Sequence, residues 1–263
     1  MARFCGEKET ESKFKAAQIW KKKCLLALNS VFSDAAIWTK DNIEALNEYF
    51  VNNLDYGEGD FFEKLEAQIE PTNPYVKKLA AEMMWFMLLC PSNIGSEKKR
   101  ESVSRIWSWS GDSLPNNDEL LGDQVLTGIG SAGTSFNTNR WRELVYFIQF
   151  ARSFCDLPLA KREQLLSDGW LLSEWLEQIP ENDARQLRHM VLFLLFPAHF
   201  VRIFGGTDRR KVVQAFTDRS KAEVGKLSAL ELDKALAEIR QTQEQDFGTD
   251  QLDFYVPPLK EQW

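Results

Sequence analysis

Two segments of this chain are apolar on every face of a helix, and each stops at a proline. Met83-Met84-Trp85-Phe86-Met87-Leu88-Leu89-Cys90 runs into Pro91, and Val191-Leu192-Phe193-Leu194-Leu195-Phe196 runs into Pro197. A helix without a polar face has to be wrapped by other elements. Proline ends it, because proline lacks the N–H and clashes with the preceding turn. Neither run approaches the ~20 residues that span a bilayer. The chain must therefore supply amphipathic helices to cover two central ones.

The remaining periodicity is helical as well. Apolar spacing predicts helices over 14–31, 43–54, 60–69, 75–90, 97–109, 140–155, 158–166, 169–178, 183–196, 208–216 and 230–243. Asp41 with Glu44 and Ser228 with Glu231 have capping-box spacing, in which two side chains satisfy free N–H groups at a helix start. Ser96 and Asn139 read as caps of the helices that follow them. No strand run or hairpin signal is present. The longest stretch without a helical period is 111–139, rich in Gly, Ser, Asn and Thr. A loop of that length in a compact chain is often functional. The expected fold is mainly α: an irregular multi-helix domain of about eleven helices with a long Gly/Ser/Asn-rich central loop. The expected divisions are a helical segment over 1–58, a helical domain over 59–246 and a connector over 247–263.

Charge narrows the function. Of 263 residues, 32 are Lys or Arg and 39 are Asp or Glu, a net charge of −7. Coating nucleic acid by bulk charge is excluded, although an acidic total leaves room for a local basic site. The four cysteines, Cys5, Cys24, Cys90 and Cys155, are scattered without a C-x-x-C, which fits a reducing compartment. With only His189 and His199 beside them, no metal constellation forms. The N-terminal residues lack an apolar signal core. The reading is a soluble cytoplasmic chain with no membrane segment and no cofactor.

Catalytic look-alikes fail on their context. Gly128-Ile129-Gly130-Ser131-Ala132-Gly133 spells G-x-G-x-x-G, but 120–127 is a poor strand and 141–154 reads as a helix, so a dinucleotide site lacks its framework. Turn glycines in a loop are the reading. Gly111-Asp112-Ser113-Leu114 spells the nucleophile block of GDSL esterases, yet Gln186 and Phe196 stand where an acid should precede each histidine by three. Without a base, Ser113 is a turn or capping serine. Gly225-Lys226 lacks both the first glycine (Ser220) and the hydroxyl residue (Leu227) of a P-loop. Glu97-x-Lys99 lies on a predicted helix, away from any carboxylate strand. No catalytic residue is assigned.

The chain carries an internal echo. Each apolar helix ends at its proline and is followed by a loop and a helix that opens on a basic triplet: Lys98-Lys99-Arg100 and Arg209-Arg210-Lys211. Cations near a helix N-terminus oppose the dipole, whereas cations beside free N–H groups suit phosphate. Two readings stand: phosphate contacts, or long solvated side chains offset by Glu97, Glu101 and Asp208. The stretch from Gly128 to Asn139 leads into Arg140 and Arg142 and is a candidate reading element. The final stretch carries Pro257-Pro258 and ends on Trp263. It reads as a connector into something further or as a tail packed on its own domain.

Four blocks carry a resemblance. They are Leu89-Cys90-Pro91-Ser92-Asn93-Ile94-Gly95 with Lys99-Arg100-Glu101 and Ile106-Trp107-Ser108-Trp109-Ser110-Gly111; Gly128-Ile129-Gly130 with Gly133-Thr134 and Phe136-Asn137-Thr138; Arg188-His189-Met190 with Leu194-Leu195-Phe196-Pro197; and Asp253-Phe254-Tyr255-Val256-Pro257-Pro258-Leu259 through Trp263. From about residue 60 onward they resemble the N-terminal region of bacterial AAA-family NTPases of the McrB type, the methylcytosine-dependent restriction motors. The resemblance implies that the last block leads into a motor whose phosphate-binding loop and catalytic acids lie outside this chain. It also implies a hexameric parent that hydrolyses ATP or GTP, works with a nuclease subunit and defends against foreign DNA. This chain would then be a monomeric recognition domain without hydrolytic activity.

Two functions follow as expectations. The first is binding of DNA, including modified DNA, through Lys98, Lys99, Arg100, Arg140, Arg142, Arg209, Arg210 and Lys211, with exposed aromatics stacking an extruded base. The second is a protein-interaction module that senses a phage protein or docks a partner subunit, which the aromatic richness suits.

Overall fold

The computed structural model describes residues 4–263, apart from the side chains of 134 and 135. Among the described residues it is helical throughout, with two isolated bridges and no strand. The helices are α1 (Glu11–Trp20), α2 (Lys40–Tyr49), α3 (Phe61–Ile69), α4 (Pro74–Met87), α5 (Ser96–Ser108), α6 (Asp118–Leu121), α7 (Asp123–Leu126), α8 (Gly133–Thr138), α9 (Arg140–Cys155), α10 (Leu159–Ser167), α11 (Gly169–Leu176), α12 (Gln186–Leu195), α13 (Gly206–Phe216), α14 (Lys221–Gly225) and α15 (Ala229–Phe247). None of the described helices is long and apolar enough to cross a membrane.

The two helices without a polar face are central, as their composition requires. α4 packs against α2, α5 and α9, and every residue from Leu79 to Met87 is buried. α12 packs against α1, α9 and α11 and is buried from Leu187 to Leu195. Local chemistry sets the ends. Asn73 caps α4 with Pro74 at the first helical position, where its missing N–H costs nothing. Capping boxes open α3 (Asp60 and Glu63), α14 (Ser220 and Glu223) and α15 (Ser228 and Glu231). Asp41 and Ser96 are not caps: Thr39 caps α2, and Gly95 precedes α5.

The helix expected over 14–31 stops early. After Trp20 it widens into a π-helical turn, Lys21–Leu26, and Leu28 adopts a left-handed φ of 59°. A buried acid accounts for the break. Glu82 of α4 accepts hydrogen bonds from Ser30 Oγ, Val31 N at 3.1 Å and Trp38 Nε1 at 2.7 Å. A buried carboxyl needs such partners. Burial still pushes its pKa up.

The stretch 111–139 is not one long loop. It contains α6, α7 and α8, and side chains from four other parts of the chain hold its carbonyls. Trp85 Nε1 donates to Leu120 O at 2.8 Å, Arg100 Nε to Leu121 O at 3.0 Å, Lys13 Nζ to Gln124 O at 2.5 Å and Lys99 Nζ to Leu126 O at 2.6 Å. Arg202 Nη1 donates to Ile129 O. Isolated turns too short to stabilise themselves are thus fixed from outside. Gly128 and Gly130 serve close packing: Ile129 N and Gly130 N donate to Cys90 O, and Ser92 N donates to Gly130 O. A Cβ on Gly128 would lie 1.9 Å from Pro91 O.

The expected division at 58 has no counterpart in the packing. One contiguous buried cluster runs from Cys5 to Phe204 and includes Trp20, Ile37 and Trp38 of the first segment. A second, smaller cluster joins α13, α14 and α15 to the final residues. The segment after α15 is no extended connector within the described chain. Leu252, Phe254 and Leu259 are buried in the second cluster, and Arg202 grips Asp253 at 2.6 and 2.8 Å.

Candidate nucleic-acid interface

The basic triplets divide between inside and outside. Lys99 is fully buried against Leu126 O, and desolvation pulls its amine down to about 8. Arg209 is buried and bound to Asp233 and Ile203 O. Neither can reach a phosphate outside the fold. Arg100 is engaged by Leu121 O and by Asp123 at 2.6 Å. Arg210 is half-buried, with Gly206 O at 3.4 Å. Lys98 and Lys211 are exposed, the latter 3.9 Å from Asp208. A helix dipole disfavours a cation in the first turn, and burial on a carbonyl or carboxylate is how Lys99 and Arg209 are accommodated there.

Arg140 and Arg142, in the first turn of α9, differ from the triplets. The Arg140 guanidinium lies 6.0 Å from the Phe61 ring and 5.8 Å from the Phe62 ring. Its Nε has no hydrogen-bond partner, and no carboxylate pairs with it among the described residues. Burial without a compensating acid draws its pKa down. The exposed Arg142 guanidinium lies 4.9 Å from the Trp141 ring and makes no described ion pair.

These arginines belong to a row of cations and rings across α5, α3, the loop 54–60 and α9. Arg105 lies 5.1 Å over Phe62, and Phe62 meets Phe61 at 5.3 Å. Tyr56 meets Trp141 edge to face at 6.1 Å and 90°. Between them opens a cavity of about 320 Å³ lined by Phe50, Tyr56, Phe61 and Trp141, with Asp55, Lys64, Gln68 and Thr138 among its polar walls. Tyr56 is 79% exposed, which no packing requirement explains. A cavity walled by rings suits a planar ligand; its one lining cation, Lys64, is bonded to Gly57 O, and Arg140 and Arg142 lie outside its lining.

Sequence reasoning named Arg140 and Arg142 but missed Tyr56, Phe61, Phe62 and Trp141. A signal was available. The Asp60–Glu63 box fixes Phe61 and Phe62 as the first two residues of α3, and consecutive helical residues cannot both face one core. Tyr56 sits in the turn-rich run Asp55-Tyr56-Gly57-Glu58-Gly59-Asp60, where an aromatic has little core to join.

Elsewhere the chemistry is structural. All four cysteines are free and buried. No group of His, Cys, Asp and Glu among the described residues could hold a metal ion. His189 is buried beside Arg188, and His199 stacks on Trp170. Comparison of the chain with family models, with curated proteins and with solved structures finds no match in any of the three.

Proposed function

We propose that this chain is the recognition part of a McrB-type defence NTPase, and that it binds DNA by seating one unstacked nucleotide between Tyr56, Phe61 and Trp141. What supports the reading is the aromatic cavity itself, whose lining residue Trp141 is flanked in sequence by Arg140 and Arg142, neither of which has an ion pair among the described residues. Base–aromatic stacking contributes about 1–3 kcal/mol per base, and a guanidinium–phosphate contact adds a charge-assisted bond. The site is wider than the basic triplets in chemistry and narrower in extent, so backbone contacts are few.

Fluorescence anisotropy tests this against labelled duplexes with plain, methylated and hydroxymethylated cytosine, and against a single strand, at two salt concentrations. Binding is expected for the single strand or for the duplex that opens most readily. The salt slope is shallow, roughly −1 to −2 for two phosphate contacts. Tyr56→Ala and Arg142→Ala should each weaken binding about tenfold, within the range for one stacked base or one contact. Charge reversal of Lys98 and Lys211 should leave it nearly unchanged. Absence of binding to every member rejects the reading in favour of a protein ligand.

A further inference from the structure

The apolar run that forms α12 needs cover on every face, and past its C-terminal end that cover thins. Leu194 and Leu195 are buried, Phe196 and Pro197 half-buried, Ala198 and His199 exposed. These residues form one wall of a cleft of about 1000 Å³. Its other walls are α1, the segment before it and the C-terminal part of α15. The fixed polar chemistry in the cleft comes from α15. Arg240 is only 6% exposed and forms an ion pair with Glu244, yet Arg240 Nε and Glu244 Oε1 have no hydrogen-bond partner. Both residues line the cleft. Buried polar atoms are almost always satisfied. An unmet donor beside an unmet acceptor marks a place for a group that offers both.

We infer that this cleft docks an extended, uncharged, apolar segment of another protein, with the backbone of one residue bonded to Arg240 and Glu244 and an apolar side chain against the end of α12. In an extended chain the N–H and C=O of one residue point to the same side, as in the hydrogen-bonded pairs of an antiparallel ladder. They can meet Glu244 Oε1 and Arg240 Nε together. Main-chain bonds then give affinity and the apolar wall gives specificity. The lining charges favour a neutral occupant because they are balanced at home. Glu9 lies 3.5 Å from Lys13, Glu11 lies 2.7 Å from Lys15, and Arg240 has Glu244. Lys8 and Asp250, one of each sign, complete the charged lining. The volume stands at the top of the range for small-molecule cavities, about 300–1,000 Å³, which suits a stretch of chain. Arg240, Glu244 and Phe247 have the i, i+4, i+7 spacing of one helix face. Phe247 is 46% exposed and falls in sequence between the lining residues Glu244 and Asp250. An exposed aromatic at such an edge suits an interface anchor. None of these residues belongs to the cavity beneath Tyr56, so the inference is independent of the nucleotide reading.

Fluorescence anisotropy of the full chain tests this with labelled hexapeptides capped at both ends. One set carries Leu, Ile, Val or Phe at the central positions and Ser elsewhere, and an all-Ser peptide is the control. A further set repeats the apolar peptides with N-methylated central amides, which removes the N–H and keeps the side chain. The expected result is an apolar peptide that binds with little dependence on salt, while the all-Ser control binds at least about tenfold more weakly. N-methylation should cost about tenfold, the loss for a hydrogen bond to a charged group. Arg240→Lys keeps the charge opposite Glu244 but removes the Nε donor, and should weaken binding about tenfold. Phe247→Ala should weaken it about fivefold, and the side chain is too exposed for that loss to come from unfolding. Binding of no apolar peptide overturns the inference, as does equal binding of the all-Ser control or of the N-methylated set. Binding that survives both Arg240→Lys and Phe247→Ala overturns it as well.

Discussion

Asp233 of α15 receives Arg188 of α12 at 2.6 Å, with both side chains fully inside the protein. The contact joins the two hydrophobic clusters, and it is not a simple pair. Arg209 of α13 binds the other carboxylate oxygen, and Ser173 Oγ of α11 donates to Asp233 Oδ2 at 2.9 Å. One acid thus orients two guanidiniums from separate helices, and a buried carboxylate in that role is hard to replace.

Removing the acid should therefore cost more than removing a contact. Asp233→Ala is expected to destabilise the fold by about 3–5 kcal/mol, because two buried cations lose their partner. Urea unfolding reads this directly. A loss under about 1 kcal/mol would show that the arginines find other acceptors.

The same cluster makes stability sensitive to acid. His189 is held well below its ordinary value of 6.5, by burial first and then by the charges of Arg209, Arg188 and Arg210. The unfolded chain binds a proton below pH 6.5 that the folded chain refuses, so stability falls as pH drops from there toward the depressed folded value. The slope approaches about 1.4 kcal/mol per pH unit for one proton. His189→Gln should flatten the difference between unfolding curves at pH 7 and pH 5.5. Parallel curves for both proteins would refute the linkage.

Lys99 and Lys98 are neighbours with opposite fates. Lys99→Glu places an acid against Leu126 O and should destabilise the chain by about 3 kcal/mol or more, the range for an unpaired buried charge. Lys98→Glu, on the exposed side, should stay within about 0.5 kcal/mol. Thermal melts of the two variants side by side distinguish an internal strut from a phosphate contact, since the latter predicts unchanged melting for both.

Two glycines provide a matched test of close packing. Gly128→Ala drives a Cβ to 1.9 Å from Pro91 O, a backbone atom that cannot step aside cheaply. The expected loss is about 3 kcal/mol, the upper range for overpacking. Gly225→Ala, in α14 with nothing within 4 Å of its Cβ, should be neutral or stabilising by up to about 1 kcal/mol. Equal melting temperatures would argue that the Pro91–Gly130 pairing is looser than its hydrogen bonds indicate.

Much of this molecule follows from local pattern. The all-round apolar runs placed α4 and α12 at the centre, because no surface helix tolerates them. The run 140–155 became α9 with the same bounds, since its apolar period acts within a few residues; Asn139 takes the position before the helix without a side-chain capping bond. The capping box at Ser228 marked the start of α15 for the same reason, although the helix runs on to Phe247. Arg140 and Arg142 were visible as cations beside a loop.

What the sequence could not determine was the direction each polar group faces. Lys98, Lys99 and Arg100 look equivalent in one dimension. Only the arrival of the 120–126 backbone beside α5 turns Lys99 into a buried donor. The short helices α6 and α7 lack the length to form unaided, and side chains from residues 13, 85, 99 and 100 hold their carbonyls. The helix over 14–31 broke for an acid fifty residues away, Glu82. The cavity joins Tyr56 to Trp141 across 85 positions. Helix period and capping are short-range and written in neighbouring residues. Pairing of buried charge and closure of a cavity are long-range, and they are decided only when the helices dock.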